Sequence, residues 1–182
     1  MTPPPIIAVV GPSGVGKDTV MAGLAHRDPG FRIARRVITR DPDAGGEAFE
    51  AVTQDSFARL QKQGAFVLSW QAHGLSYGIP QSILSHRDGS RAVLVNLSRR
   101  VLIQAQDVLA PLVVLSLTAD AALLARRLSD RGRESAQDRA QRLDRAALDL
   151  PQGLQHVIEI DNSGPLDQTL TAILARLQPE SV

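Results

Sequence analysis

The stretch "IIAVVGPSGVGKDTV", Ile6 to Val20, limits the possible folds more than any other part of the chain. Ile6 to Val10 is a short, wholly apolar run, mostly β-branched, and it ends on a glycine. Such a run fits a strand buried on both faces of a parallel sheet. Glycines follow at positions 11, 14 and 16, and the segment from about Gly16 to His26 reads as a helix ended by Pro29 and Gly30. Strand, glycine-rich turn and helix start together are the context that gives the pattern G-x-x-x-x-G-K its meaning. The glycines let successive backbone N–H groups converge, and the helix adds the positive end of its dipole. A phosphate is the group such a cradle holds.

The expected ATP-binding residues are therefore Gly11, Pro12, Ser13, Gly14, Val15, Gly16, Lys17, Asp18 and Thr19. Lys17 is the expected catalytic cation, bridging the terminal phosphates and neutralising charge that develops during transfer. Asp18 breaks the pattern, which normally continues with Ser or Thr to supply a hydroxyl oxygen to Mg²⁺. A carboxylate is a stronger oxygen ligand for that hard cation and sits well in the first turn of a helix. Asp18 is accordingly the expected metal ligand; a plain helix-start acid is the competing reading.

Along the rest of the chain, strands are expected in "FRIARRVITR", "AFVLSWQA", "RAVLVNLS", "PLVVLSLTA" and "HVIEIDN". Helices are expected after Thr53, after Pro80 through about Arg87, from Arg99 to Leu109, after Asp120, and from Pro165 to about Leu177. "DPDAGGE" and "HGLSYGIP" read as loops. Strands alternating with helices predict an α/β fold, a parallel sheet wrapped by helices. One domain over residues 1–182 is expected, with a core of about 1–32 and 81–182, a small substrate lobe of about 33–80 and a lid of about 130–140.

Composition removes several classes. A 43% hydrophobic content supports a core, and a net charge of +1 offers no broad basic surface for nucleic acid. The absence of cysteine excludes disulfides, thiolate metal sites and cysteine catalysis. No apolar run has the length of a membrane span, and the first residues lack a signal-peptide pattern, so a cytoplasmic protein with no membrane partner is expected.

The order of "GPSGVGK", "TR…GGE", "GAFVLSWQAHGLSYGIP" and "RRLSDRGRES…QRL" resembles guanylate-kinase-like P-loop proteins over most of the chain. The resemblance implies a parallel P-loop core, a substrate lobe and a lid over the nucleotide. Several acceptor-site positions depart from guanylate kinases. Ser69 stands where an acid reads guanine ("LSW" for "LEW"), Asp43 replaces a phosphate-binding arginine, Phe49 a tyrosine, and Asn96 and Ser98 strand acids. "GPSGVGKD", "TR…DAGGE", "LSWQAHGLSYGIP" and "VLVNLSR" are similar to a narrower family, the ribose 1,5-bisphosphate phosphokinases.

That resemblance implies ATP and Mg²⁺ as cofactors and a small phosphosugar as acceptor, with 5-phosphoribosyl 1-diphosphate as product. It makes Arg40 an acceptor-phosphate ligand, Arg36 its companion, and Glu47, Ser69, His73 and Tyr77 further substrate-binding candidates. Arginine suits the role because its planar fork binds phosphate oxygens in pairs. The lid arginines Arg127, Arg131, Arg133, Arg139 and Arg142 would close over the phosphates; Arg131 and Arg142 match the family's catalytic pair best, and Arg127 is an ATP-binding candidate. Guanylate kinase is the alternative activity, and an inactive guanylate-kinase-like binding scaffold is a weaker one.

Overall fold

The computed structural model describes residues 2–44, 47–130 and 149–177. Among these, five parallel strands form the main sheet in the order β2–β7–β1–β8–β9. They are β1 (Ile6–Val10), β2 (Phe31–Ile33), β7 (Ala92–Asn96), β8 (Leu112–Thr118) and β9 (Val157–Asp161). β1 is central, and its residues pair in register with both β7 and β8. All five residues of β1 are buried, as a continuous apolar run predicts for a strand covered on both faces.

The pleat divides the core in two. Ile6, Ala8 and Val10 point to one face, toward α3 (Leu102–Val108) and the second sheet. Ile7 and Val9 point to the other, toward α1 (Lys17–Arg27) and α5 (Leu166–Arg176). Each fully buried Val, Leu or Ile contributes about 1.5–3 kcal/mol, so these layers fix the sheet that carries the loop. This is a P-loop fold of the α/β class, a parallel sheet flanked by helices.

A second sheet runs β4–β3–β6–β5, built from β3 (Val37–Ile38), β4 (Glu50–Ala51), β5 (Phe66–Ala72) and β6 (Leu75–Pro80). α2 (Gln54–Lys62) packs on it through Phe57, stacked on Phe66 at 4.7 Å. Thr53 caps α2, accepting from Ser56 N–H at 3.2 Å. Gly78 lets Phe66 lie across the hairpin, since a Cβ there would meet its ring at 2.6 Å.

Three expected elements differ from the structure. "FRIARRVITR" is two strands in two sheets, because the chain leaves the main sheet after Ala34 N–H bonds Leu94 C=O and pairs next through Arg36 C=O to Glu50 N–H. "HGLSYGIP" is mostly strand: His73 and Gly74 both have positive φ, 54° and 73°, and make a two-residue hairpin turn into β6. The segment after Pro80 forms two 3₁₀ turns, Gln81–Ile83 and Ser85–Arg87. Only Ile83 offers that segment an apolar anchor, too little for a packed helix.

α4 (Ala121–Asp130) follows β8. The expected lid residues Arg131, Arg133, Arg139 and Arg142, and Gly45 and Gly46 of the "DAGGE" loop, lie outside the described residues. Among the described residues no helix is long and apolar enough to cross a membrane.

Candidate active site

The site gathers at the C-terminal ends of the parallel strands, where α/β sheets bind ligands. The loop after β1 is held by geometry only glycine supplies. Gly14 and Gly16 have φ of 82° and 97°, and a Cβ on Gly11 would lie 2.6 Å from the Leu117 carbonyl oxygen. Val15 is fully buried between them and anchors the turn. Gly16 is the residue before α1, so the first N–H groups of that helix open onto the loop.

Lys17 Nζ donates to Gly11 C=O at 3.0 Å and to Pro12 C=O at 3.3 Å. Burial lowers its pKa to about 8; the charges of Asp18, Arg36, Glu47 and Arg99 act on the same amine. The ammonium of this half-buried side chain is thus partly desolvated and held by carbonyl dipoles, a poor setting for a lone cation and a favourable one for a polyanion. Asp18 follows in the first turn with its Oδ1 out of solvent.

The substrate lobe supplies the opposite wall. Arg36 is buried and forms an ion pair with Glu47, with Nε donating to Oε2 at 3.1 Å and Nη2 bonding Oε1. Its guanidinium packs on the ring of Tyr77, 5.0 Å from the centroid, and Tyr77 stacks on Trp70 at 5.2 Å. Asn96, at the end of β7, donates to the same Glu47 Oε2 at 3.4 Å. Glu47 is therefore no solvated surface acid; its side chain is only 11% exposed and joins the lobe to the main sheet. The Arg40 guanidinium lies 4.4 Å over the Phe49 ring, so the phenyl that stands for a tyrosine serves as a platform.

The remaining candidates are placed as follows. Ser69 Oγ accepts from Gln61 Nε2 of α2 at 3.0 Å. His73 is exposed at the hairpin tip. Arg127 reaches back to the loop, with Nη1 3.3 Å from Val15 C=O. Thr19 and Arg127, with Gly14, Gly16, Asn162, Gly164 and Leu166, line a cleft of about 340 Å³ beside the loop. A larger hollow of about 500 Å³ opens at the other end of the sheet, around Phe31, Arg91 and His156, and touches none of these groups.

The structure thus brings Lys17, Asp18, Arg36 and Glu47 together and adds two residues the sequence reading passed over. Arg99 follows β7 and acts on the Lys17 amine. Asn162 follows β9 and bonds Val15 C=O at 2.7 Å. Only the strand order, which sets β7 beside β1 on one side and β9 beyond β8 on the other, could have pointed to them.

A glycine cradle, a half-buried lysine and a facing arginine–carboxylate pair define a P-loop kinase-type site. The fold agrees: a guanylate kinase from Anaplasma phagocytophilum superposes with a TM-score of 0.65 at 17% identity, covering 98% of this chain and 89% of that one. No family model matches the chain. Curated proteins do. The ribose 1,5-bisphosphate phosphokinase PhnN of Ruegeria sp. (strain TM1040) is 53% identical over 176 residues, 97% of this chain and 93% of that protein. That of Agrobacterium fabrum is 45% identical over 177 residues, 95% and 96% respectively. The chain belongs to the ribose 1,5-bisphosphate phosphokinase family, and it is a phosphotransferase.

Proposed function

We propose that this protein transfers the γ-phosphoryl group of ATP to ribose 1,5-bisphosphate, giving 5-phosphoribosyl 1-diphosphate and ADP. The acceptor is a phosphosugar without a base. The observation that carries this reading at the site is the buried Arg36–Glu47 pair on the Tyr77–Trp70 stack, facing Lys17. With Arg36 neutralised by Glu47, Arg40 and Lys17 give the site the positive charge that suits a sugar phosphate; a guanine would need an acceptor where Ser69 instead bonds Gln61. The family membership points the same way, and guanylate kinase activity loses its support.

In this reading the loop amides and Lys17 hold the β- and γ-phosphates, and Thr19 and Arg127 border the nucleotide cleft. Arg36 and Arg40 receive the acceptor's phosphates, and Tyr77 sets the plane on which Arg36 rests. The family resemblance assigns neutralisation of the transferring group to Arg131 and Arg142, which lie outside the described residues. A phosphate nucleophile is already anionic at neutral pH, so in-line transfer requires positioning and charge neutralisation more than a base.

Among the described residues no group of three or more His, Asp or Glu side chains forms a metal cage. Mg²⁺ keeps several waters and binds through one or two carboxylates plus substrate phosphates. Asp18, in the loop with Oδ1 buried, is the residue that would hold it. When bound, Mg²⁺ neutralises charge on the β- and γ-oxygens.

A coupled assay offering ribose 1,5-bisphosphate and GMP separately tests the activity; turnover of GMP alone would overturn it. In the same assay, Asp18→Ala should lose Mg²⁺-dependent activity steeply and Asn96→Ala mildly. The reverse order would remove Asp18 from the metal site.

A further inference from the structure

We infer that Asn162 is a positioning residue for the phosphate loop, held in place by Thr169, and that it sets the direction of a phosphate-binding N–H. The inference rests on the loop's role in nucleotide binding.

Asn162 is buried directly after β9, and Thr169 is buried on α5. The Asn162 Nδ2 donates to Val15 C=O at 2.7 Å, and the Thr169 hydroxyl donates to Asn162 Oδ1 at 2.7 Å. The orientation of the amide follows from chemistry: a carbonyl oxygen only accepts, so nitrogen must face Val15 and oxygen must face the hydroxyl. The backbone N–H of Asn162 is tied as well, to Thr118 C=O at 2.7 Å. Three short bonds leave the side chain little freedom.

The consequence lies on the far side of one peptide plane. The Val15–Gly16 peptide is trans, so its C=O and N–H point in opposite directions. Drawing Val15 C=O back toward Asn162 turns Gly16 N–H the other way, toward the phosphate cradle. Gly16 has the left-handed φ of 97° that this turn needs, and a Cβ on it would meet Asn162 Nδ2 at 2.9 Å. Arg127 also approaches Val15 C=O, but at 3.3 Å. Asn162 is the closer donor, and it alone is linked through Thr169 to a core helix.

Calorimetric titration of ADP with Mg²⁺ reads this directly and needs no acceptor. Asn162→Ala should weaken ADP binding about tenfold. Thr169→Val, which keeps the shape and loses the hydroxyl, should weaken it about threefold, and Thr169→Ser should restore it. The KM for the acceptor phosphosugar should move less than twofold in all three, whereas general loosening of the fold would raise it together with the KM for ATP. Unchanged ADP affinity in folded Asn162→Ala overturns the inference, as do parallel rises in both KM values. Should Asn162→Ala not fold, equal ADP affinity in Thr169→Val and Thr169→Ser overturns it. Absence of turnover of ribose 1,5-bisphosphate by the unmodified protein would refute the proposed activity and leave this titration decisive on its own.

Discussion

The two sheets build their halves of the site by different means. The parallel sheet presents backbone: glycines with positive φ, the first N–H groups of α1, and one lysine folded onto loop carbonyls. The lobe, on its mixed sheet, presents side chains: Arg36 on Tyr77 and Trp70, Arg40 on Phe49, and Glu47 closing the ion pair. A backbone cradle binds any phosphate and needs only local sequence. A side-chain wall chooses the acceptor and depends on strand pairing, such as Trp70 with Tyr77. Nucleotide binding should therefore be robust to changes in the lobe, and acceptor choice should be fragile.

The sharpest separation of function from stability is at Lys17. Lys17→Met should lower kcat about 10³-fold, the scale of removing a cation that stabilises a transferring phosphoryl group. Its melting temperature should not fall. The folded-state pKa of Lys17 is about 8, below the ordinary 10.5. Between about pH 8 and 10.5 the unfolded chain holds a proton that the folded chain has released. This group's contribution to stability therefore rises with pH across that window, and the partly desolvated ammonium is a cost at neutral pH. In the free enzyme kcat/KM should instead fall as pH rises through about 8. Parallel slopes for stability and activity would contradict this division.

In the lobe, function and stability should fall together. Arg36→Met leaves Glu47 buried without its cation, a change that costs about 3–5 kcal/mol where a buried pair is broken. Denaturant unfolding measures it, and the acceptor KM should rise while ADP affinity holds. Adding Glu47→Leu should recover most of the stability and none of the acceptor binding. A loss below about 1 kcal/mol in Arg36→Met would mean that the pair does not hold the lobe.

The same contrast explains what could be read from the chain. "IIAVVGPSGVGKD" announced its strand, turn and helix because each signal is local, and the α/β class followed from the alternation of elements. Motif order led to the family. The hairpin at His73–Gly74 was missed because Gly74, Gly78 and Pro80 all suggest a loop, whereas they serve a tight turn, a close ring contact and a strand end. The Glu47 ion pair has no local signature, because its partner Arg36 lies 11 residues away, just before β3. Arg99 and Asn162 carried no local signal; strand order alone brings them to the loop. Backbone chemistry was legible, and side-chain partnerships were not.

The smallest expected effect tests how far the lobe's site extends along its hairpin. His73 is exposed and adopts φ of 54°, a conformation that costs little for Asn, Asp and His and suits Asn-Gly best in a two-residue turn. His73→Asn should therefore stabilise the lobe, by no more than about 0.5 kcal/mol, the scale of a surface substitution. His73 lies three residues past Trp70, roughly 10 Å at about 3.3 Å per residue, beyond the aromatic platform under Arg36. The acceptor KM should then stay the same. A rise in that KM with the turn intact would make the imidazole a ligand of the acceptor and extend the side-chain wall to the tip of the hairpin. It would also give His73 a role in binding that its turn geometry alone does not require.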